Sequence, residues 1–337
     1  MFSTSYEEAR DRFRAATAGV EHGAIEVVDG LTIDWAFTGD PDARRVLVFS
    51  SGLHGVEGYG GSAMQLEMLA RGTGAATLWV HALNPWGMKH LRRVNENNVD
   101  LNRNFLAPGE VWAGADPGYV ALEGLINPPS PPGFDFFLVK AAWNIARVGF
   151  AALKNAVAQG QYEYPKGLFY GGKEFQPGPR KALELFDRFL VGRERVVHVD
   201  LHSGQGKFAG RMLLLEGDPA PEQVARVEKA MGPVSRWEPG KAYTIRGGMT
   251  RELARRLAGT RYDALTLELG TLGDLDVIQA LREENRLHHH GAPAPDHPAK
   301  RALVDAFAPA HHPAWAGAVI AHARALAEPC RRLLESE

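Results

Sequence analysis

Cysteine is nearly missing from this chain: Cys330 is the one copy in 337 residues. An internal disulfide framework is therefore excluded, and the composition fits a reducing compartment. Cys330 itself reads as a late-helix residue and not as a nucleophile. Neither sign of charge is in excess, with 38 Lys and Arg against 40 Asp and Glu. The near-neutral balance, with a pI near 6.7, gives no electrostatic footprint for nucleic acid or for an anionic membrane. Small molecules or short peptides are the expected partners. Long apolar runs are lacking too. The most apolar stretch, residues 134–158, is interrupted by Asp135, Lys140, Arg147 and Lys154 at helical spacing, so it reads as a long, partly buried helix and not as a membrane span. The first 17 residues lack the apolar run of a signal peptide. They read as a charged amphipathic helix with a capping box of Ser5 and Glu8, and a cytoplasmic location is expected. No internal repeat or low-complexity tract is present. Oligomeric state is not written in the sequence, which leaves a homo-oligomer open.

What the chain does have is 45% hydrophobic residues, enough for a large core. Four runs, 46–49, 78–83, 196–201 and 265–269, are continuously apolar, as strands buried on both faces are. Residues 25–37 alternate instead, which suggests an edge strand or a hairpin turning at Asp29-Gly30. Helical periodicity fills the gaps at 62–71, 179–191, 221–231, 250–257, 275–287 and 315–334. Strands interleaved with helices predict an α/β fold, with a mixed, mostly parallel sheet covered on both faces. We expect one domain spanning 1–337. Two Pro/Gly-rich segments near 107–133 and 161–179 read as long loop insertions, of the kind that line a cleft as often as they merely decorate a surface.

Just past the first buried run stands His54-Gly55-Val56-Glu57-Gly58. Ligands gather beyond the carboxyl ends of strands in open α/β sheets, and a helical turn here would let His54 and Glu57 meet one ion. Alone, that spacing is a weak signal. It strengthens because His202 ends another apolar run, in Asp200-Leu201-His202-Ser203-Gly204. Two histidines and a glutamate form an attested zinc set that leaves the fourth position to water. His198, four residues earlier, suits a core or supporting position better. Glu268 interrupts an apolar strand, Leu265-Thr266-Leu267-Glu268-Leu269, where a carboxylate is costly unless paired or functional. Beside a metal-activated water it would serve as general base. Finally, Asn84-Pro85-Trp86-Gly87 leads through Arg92-Arg93 to Asp100-Leu101-Asn102-Arg103-Asn104-Phe105. Asn with Arg matches a substrate carboxylate, and a further arginine could hold an oxyanion.

In this order the four motifs resemble the zinc carboxypeptidase superfamily. That superfamily also holds the deacylases aspartoacylase and succinylglutamate desuccinylase. The wording of residues 95–105, with Tyr170-Gly171-Gly172 in the middle insertion, is most similar to the bacterial DUF2817 branch. The resemblance runs from about Val46 to Gly270. It implies a three-layer α/β/α sandwich around a mixed eight-stranded sheet and one Zn2+ held by His54, Glu57 and His202. It further implies Glu268 as general base and Asn102 with Arg103 as the grip on a substrate carboxylate. Arg93 is the choice for the oxyanion-stabilising arginine, although spacing does not separate it from Arg92. The expected activity is hydrolysis of an amide in a small peptide or N-acyl amino acid. One departure weighs against a strict carboxypeptidase: after Gly247-Gly248 no tyrosine follows until Tyr262, and Tyr243 precedes the turn. Two rivals are a serine-nucleophile α/β-hydrolase and a zinc-binding relative without catalysis. The first lacks its elbow, because Gly60-Gly61-Ser62-Ala63-Met64 misses the last glycine and follows no strand. Against the second, all four metal-site and base groups are present. The histidines of the carboxyl-terminal region, 288–290, 297 and 311–312, offer a less favoured second metal site.

Overall fold

A computed structural model describes residues 2–217, 219–236 and 245–336. The apolar runs form the middle of an eight-stranded sheet: β1 (Glu21–Val28), β2 (Leu31–Thr38), β3 (Arg45–Ser51), β4 (Thr77–His81), β5 (Arg195–Ser203), β6 (Arg211–Leu215), β7 (Ser235–Arg236) and β8 (Arg261–Leu269). Its order is β1-β2-β4-β3-β5-β8-β6-β7. The central β4, β3, β5 and β8 run parallel, while β2 and β6 add antiparallel neighbours on either side. Every residue of β4 and β5 is buried, as expected for strands covered on both faces.

Period-two alternation distributes these strands over two cores. Leu47, Phe49, Val197, Val199, Leu201, Leu265 and Leu267 face one layer, packed with helices Tyr6–Thr17, Gly58–Arg71, Pro221–Met231, Pro313–Arg324 and Ala327–Glu335. Val46, Val48 and Val196 face the other, with Pro177–Leu190 and Met249–Arg256. Helix Pro177–Leu190 shows the rule at work. Leu183, Phe186 and Leu190 lie on one stripe and all are buried, so Phe186→Ala would cost about 3–5 kcal/mol. The result is a three-layer α/β/α sandwich. Cys330 lies in the last helix, where burial pushes its thiol up to about 12 and keeps it protonated. Among the described residues no helix is long and apolar enough to cross a membrane.

Several local expectations change. The hairpin does turn at Asp29-Gly30, whose φ values of 50° and 73° suit a tight two-residue loop. Ser5 caps the first helix by accepting from Glu8 N, but the Glu8 carboxylate accepts from Thr4 N, not from Ser5 N. The single helix expected over 134–158 is two, Phe137–Val148 and Phe150–Ala158, because Gly149 takes φ 86°. Its outer side is open to solvent, with Phe134 86% and Trp143 66% exposed. The 107–133 loop contains a helix, Pro117–Ile126, whose cap Asp116 accepts from Gly118 N. Likewise 315–334 divides into two helices, and β6, β7 and helix Pro298–Phe307 arise where no element was expected.

Candidate metal centre and active site

β3 delivers the chain to His54, after which Gly55–Glu57 makes one 3-10 turn into helix Gly58–Arg71. That turn is what carries Glu57 back beside His54. It is pressed against Asn84-Pro85-Trp86-Gly87, and a Cβ on Gly55 would stand 2.1 Å from the Gly87 carbonyl carbon. β5 brings His202 to the same carboxyl end of the sheet, and the parallel register sets it opposite Glu268 on β8.

The donor atoms of His54, Glu57 and His202 lie within 4.8 Å of one another, and all three residues are buried. His54 Nδ1 is 2.9 Å from Glu57 Oε1, and His202 Nδ1 is 3.1 Å from Glu57 Oε2. On their far sides both imidazoles meet buried aspartates. His202 Nε2 lies 2.6 Å from Asp200 Oδ2, and His54 Nε2 lies 3.1 Å from Asp100 Oδ1. A carboxylate behind a histidine is how metal-ligating imidazoles are oriented. Two buried atoms are left without a well-formed hydrogen bond: His54 Nδ1, whose contact with Glu57 Oε1 is close but poorly directed, and Glu268 Oε2. A buried polar atom left unmatched is costly. The trio therefore fits a divalent cation by donor chemistry and by the lack of a well-directed partner for His54 Nδ1.

The electrostatics agree with that fit. Burial would raise Glu57, but His54 and His202 outweigh it and hold the carboxyl well below its usual range. For His202 burial, which would lower it, is overcome by Asp200 and Glu57, so the ring is held well above its ordinary value. At Asp100 burial would raise the carboxyl, but Arg93 and His54 override it and hold the group well below its usual range. At Glu268 burial wins and lifts the carboxyl to about 7, with Glu57 adding to the rise. A carboxyl poised there suits proton transfer near neutral pH.

Of the adjacent arginines, Arg93 reaches the cluster. It donates from NH1 to Glu57 Oε1 at 2.9 Å and from Nε to Asp100 Oδ2 at 3.1 Å, and its NH2 lies 2.8 Å from His54 Nε2. Arg92 turns away to Glu284, Asn98 and Asn285 in a separate buried network. Asn102 and Arg103 border the same cavity, but both are engaged. Asn102 Oδ1 accepts from Met249 N, and Arg103 donates to the carbonyls of Ala158 and Asn102.

Behind the cluster runs a buried chain of groups: Tyr262 OH, His198, Ser50, Asp200 and then His202, joined by contacts of 2.8, 2.7, 2.6 and 2.6 Å. His198 is thus a supporting residue, and Tyr262 is committed to it and away from the cavity. Tyr243 lies outside the described residues. Ser62, the weak elbow match, is inside helix Gly58–Arg71 and touches His81, which is buried against Phe13. No part of that pair borders the cavity. Among the described residues the histidines of 288–312 join no other metal-capable group.

Three features escaped the sequence reading. Asp100 and Asp200 stand in motifs that were noticed, and the i, i+2 spacing of Asp200 and His202 puts both on one strand face. Glu216, just beyond β6, reaches the cavity wall and accepts from Thr266 Oγ1 at 2.8 Å, with burial raising its carboxyl. No motif marked it.

Residues 2–322 match the family described as "Protein of unknown function (DUF2817)". The chain belongs to that family. Among solved structures, this DUF2817 chain resembles thrombin-activatable fibrinolysis inhibitor at 11% identity and a TM-score of 0.52, covering 99% of this chain and 75% of that one. Carboxypeptidase A of Helicoverpa armigera matches at 13% identity and TM-score 0.44, over 90% of this chain and 74% of that one. Murein-tripeptide amidase MpaA of Escherichia coli O157 matches at 17% identity and TM-score 0.40, over 81% and 95%. At 11% identity the likeness to thrombin-activatable fibrinolysis inhibitor speaks for the fold alone. A 73-residue stretch is 33% identical to acetyl-coenzyme A synthetase of Leptospira biflexa, covering 20% of this chain and 11% of that protein. The DUF2817 chain thus spans about a tenth of the length of the curated relatives it matches, too little to bear on its architecture.

Proposed function

We propose that this chain is a zinc-dependent hydrolase that cleaves an amide bond in a small peptide or N-acyl amino acid bearing a free carboxylate. The observation that carries the reading is the meeting of His54, Glu57 and His202 directly across a strand pair from Glu268. His54, Glu57 and His202 would hold the ion, whose chemistry is to acidify a water and polarise the substrate carbonyl. Glu268 takes a proton from the attacking water on its unpartnered Oε2 and returns it to the nitrogen of the leaving amine. Arg93, pinned by Glu57 and Asp100, presents positive charge where the carbonyl oxygen becomes anionic. Asn102 and Arg103, on the cavity wall, orient the substrate carboxylate.

The deciding experiment is a screen of zinc-loaded protein against N-acyl amino acids and short peptides, with chelator-treated protein and Glu268→Gln as blanks. Hydrolysis that depends on both metal and Glu268 is expected. About one zinc per chain with no turnover across the panel would make the protein a binding relative. Inhibition by a serine-directed phosphonate but not by a chelator would restore the serine-hydrolase reading.

A further inference from the structure

The cavity at the proposed centre has a marked polarity gradient. It encloses about 1300 Å³ including its mouth, and the metal-site groups gather at the carboxyl end of the strands that carry His202 and Glu268, while on the helical side the ionisable groups Lys154 and Asp274 are paired with each other at 3.0 Å. Away from that strand end it is walled by the segment 117–158, whose three helices are Pro117–Ile126, Phe137–Val148 and Phe150–Ala158. Phe137, Ala141 and Ile145 recur every four residues, and Leu153 and Val157 repeat the spacing on the next helix. Such stripes normally bury themselves on a protein core. Here they line space that no side chain of the protein fills, and Leu125 extends the same lining. Water in an apolar lobe finds few hydrogen-bond partners, so the lobe favours an apolar occupant.

Resting on the hydrolase reading above, we propose that the substrate carries an extended apolar acyl group, a fatty-acyl amide of an amino acid, with its hydrocarbon chain in this lobe. The continuity of the lobe with the metal centre fixes the orientation. The scissile carbonyl lies at His54, Glu57 and His202, the amino-acid carboxylate lies toward Asn102 and Arg103, and the acyl chain points between the helices. Hydrolysis adds one water across the amide, releasing a fatty acid and a free amino acid.

The test separates this inference from the reading it rests on. Calorimetric titration of Glu268→Gln with N-acetyl-, N-hexanoyl- and N-decanoylglycine reads binding without turnover. Affinity should rise about fourfold per added methylene until the lobe is full. Ala141→Trp should abolish most of that gain while leaving acetylglycine affinity unchanged. A flat chain-length series in the otherwise unaltered protein overturns the proposal, and so does an equal loss for short and long chains in Ala141→Trp. Parallel turnover measurements on the zinc-loaded wild type address the other claim. A steep binding series without hydrolysis of any member would sink the hydrolase reading and keep the lobe's assignment. Hydrolysis without chain-length dependence would do the reverse.

Discussion

Asp200 Oδ2 lies 2.6 Å from His202 Nε2, two residues along the same strand and on the same face. A carboxylate in that position can only accept, so the imidazole keeps its proton on Nε2 and turns Nδ1 toward Glu57. Replacing Asp200 with Asn removes the charge but keeps the shape. Zinc affinity should fall about 10- to 100-fold. Competition with a fluorescent chelator measures this directly, and unchanged affinity would mean that Asp200 does not orient a ligand.

His202 itself is the stronger case. His202→Ala should lower zinc content sharply, as read by elemental analysis of purified protein. Normal loading in that variant would show that the ligand trio has been misidentified.

Glu268→Gln should retain zinc and lose about 100- to 10,000-fold in kcat, the range typical of a general base. Because Gln cannot take the water's proton, the loss should fall on kcat more than on KM. Turnover near the wild-type rate would remove Glu268 from the chemistry.

How far the sequence revealed this site depended on whether the signal was local. Glu268 stood out because a carboxylate inside an apolar strand demands an explanation, and His202 because it ends another such strand. The sheet order was less accessible, since pairing β5 with β8 joins segments some 60 residues apart in the chain. Gly149 was visible, but its positive φ was not, and one helix was expected where two are found. The engagement of Arg103 by the Ala158 carbonyl spans 55 residues and has no sequence signature at all.

That engagement sharpens the expectation for Arg103. Its guanidinium braces the end of helix Phe150–Ala158 while bordering the cavity. Arg103→Ala should raise KM about 10-fold or more for substrates with a free carboxylate, consistent with loss of a charge-assisted contact. Amidated counterparts should change little. Equal losses for both would make Arg103 a brace for the helix and not a substrate contact.

Acid should weaken the fold through a histidine outside the metal cluster. His81 is fully buried, its ring stacked on Phe13 and its Nε2 3.0 Å from Ser62 Oγ. Burial pulls its pKa from 6.5 down to about 3, with Arg14 adding to the effect, so the folded protein keeps this ring neutral. The unfolded chain takes up a proton below pH 6.5, whereas the folded chain does so only near pH 3. Stability from this group is therefore complete above 6.5 and is lost as pH falls, by roughly 2 kcal/mol at pH 5. His81→Gln removes the titration. Urea unfolding of metal-free wild type and variant at pH 7 and pH 5 should show their stability difference shifting by that amount in the variant's favour. A difference independent of pH would mean that His81 is already able to protonate in the folded state.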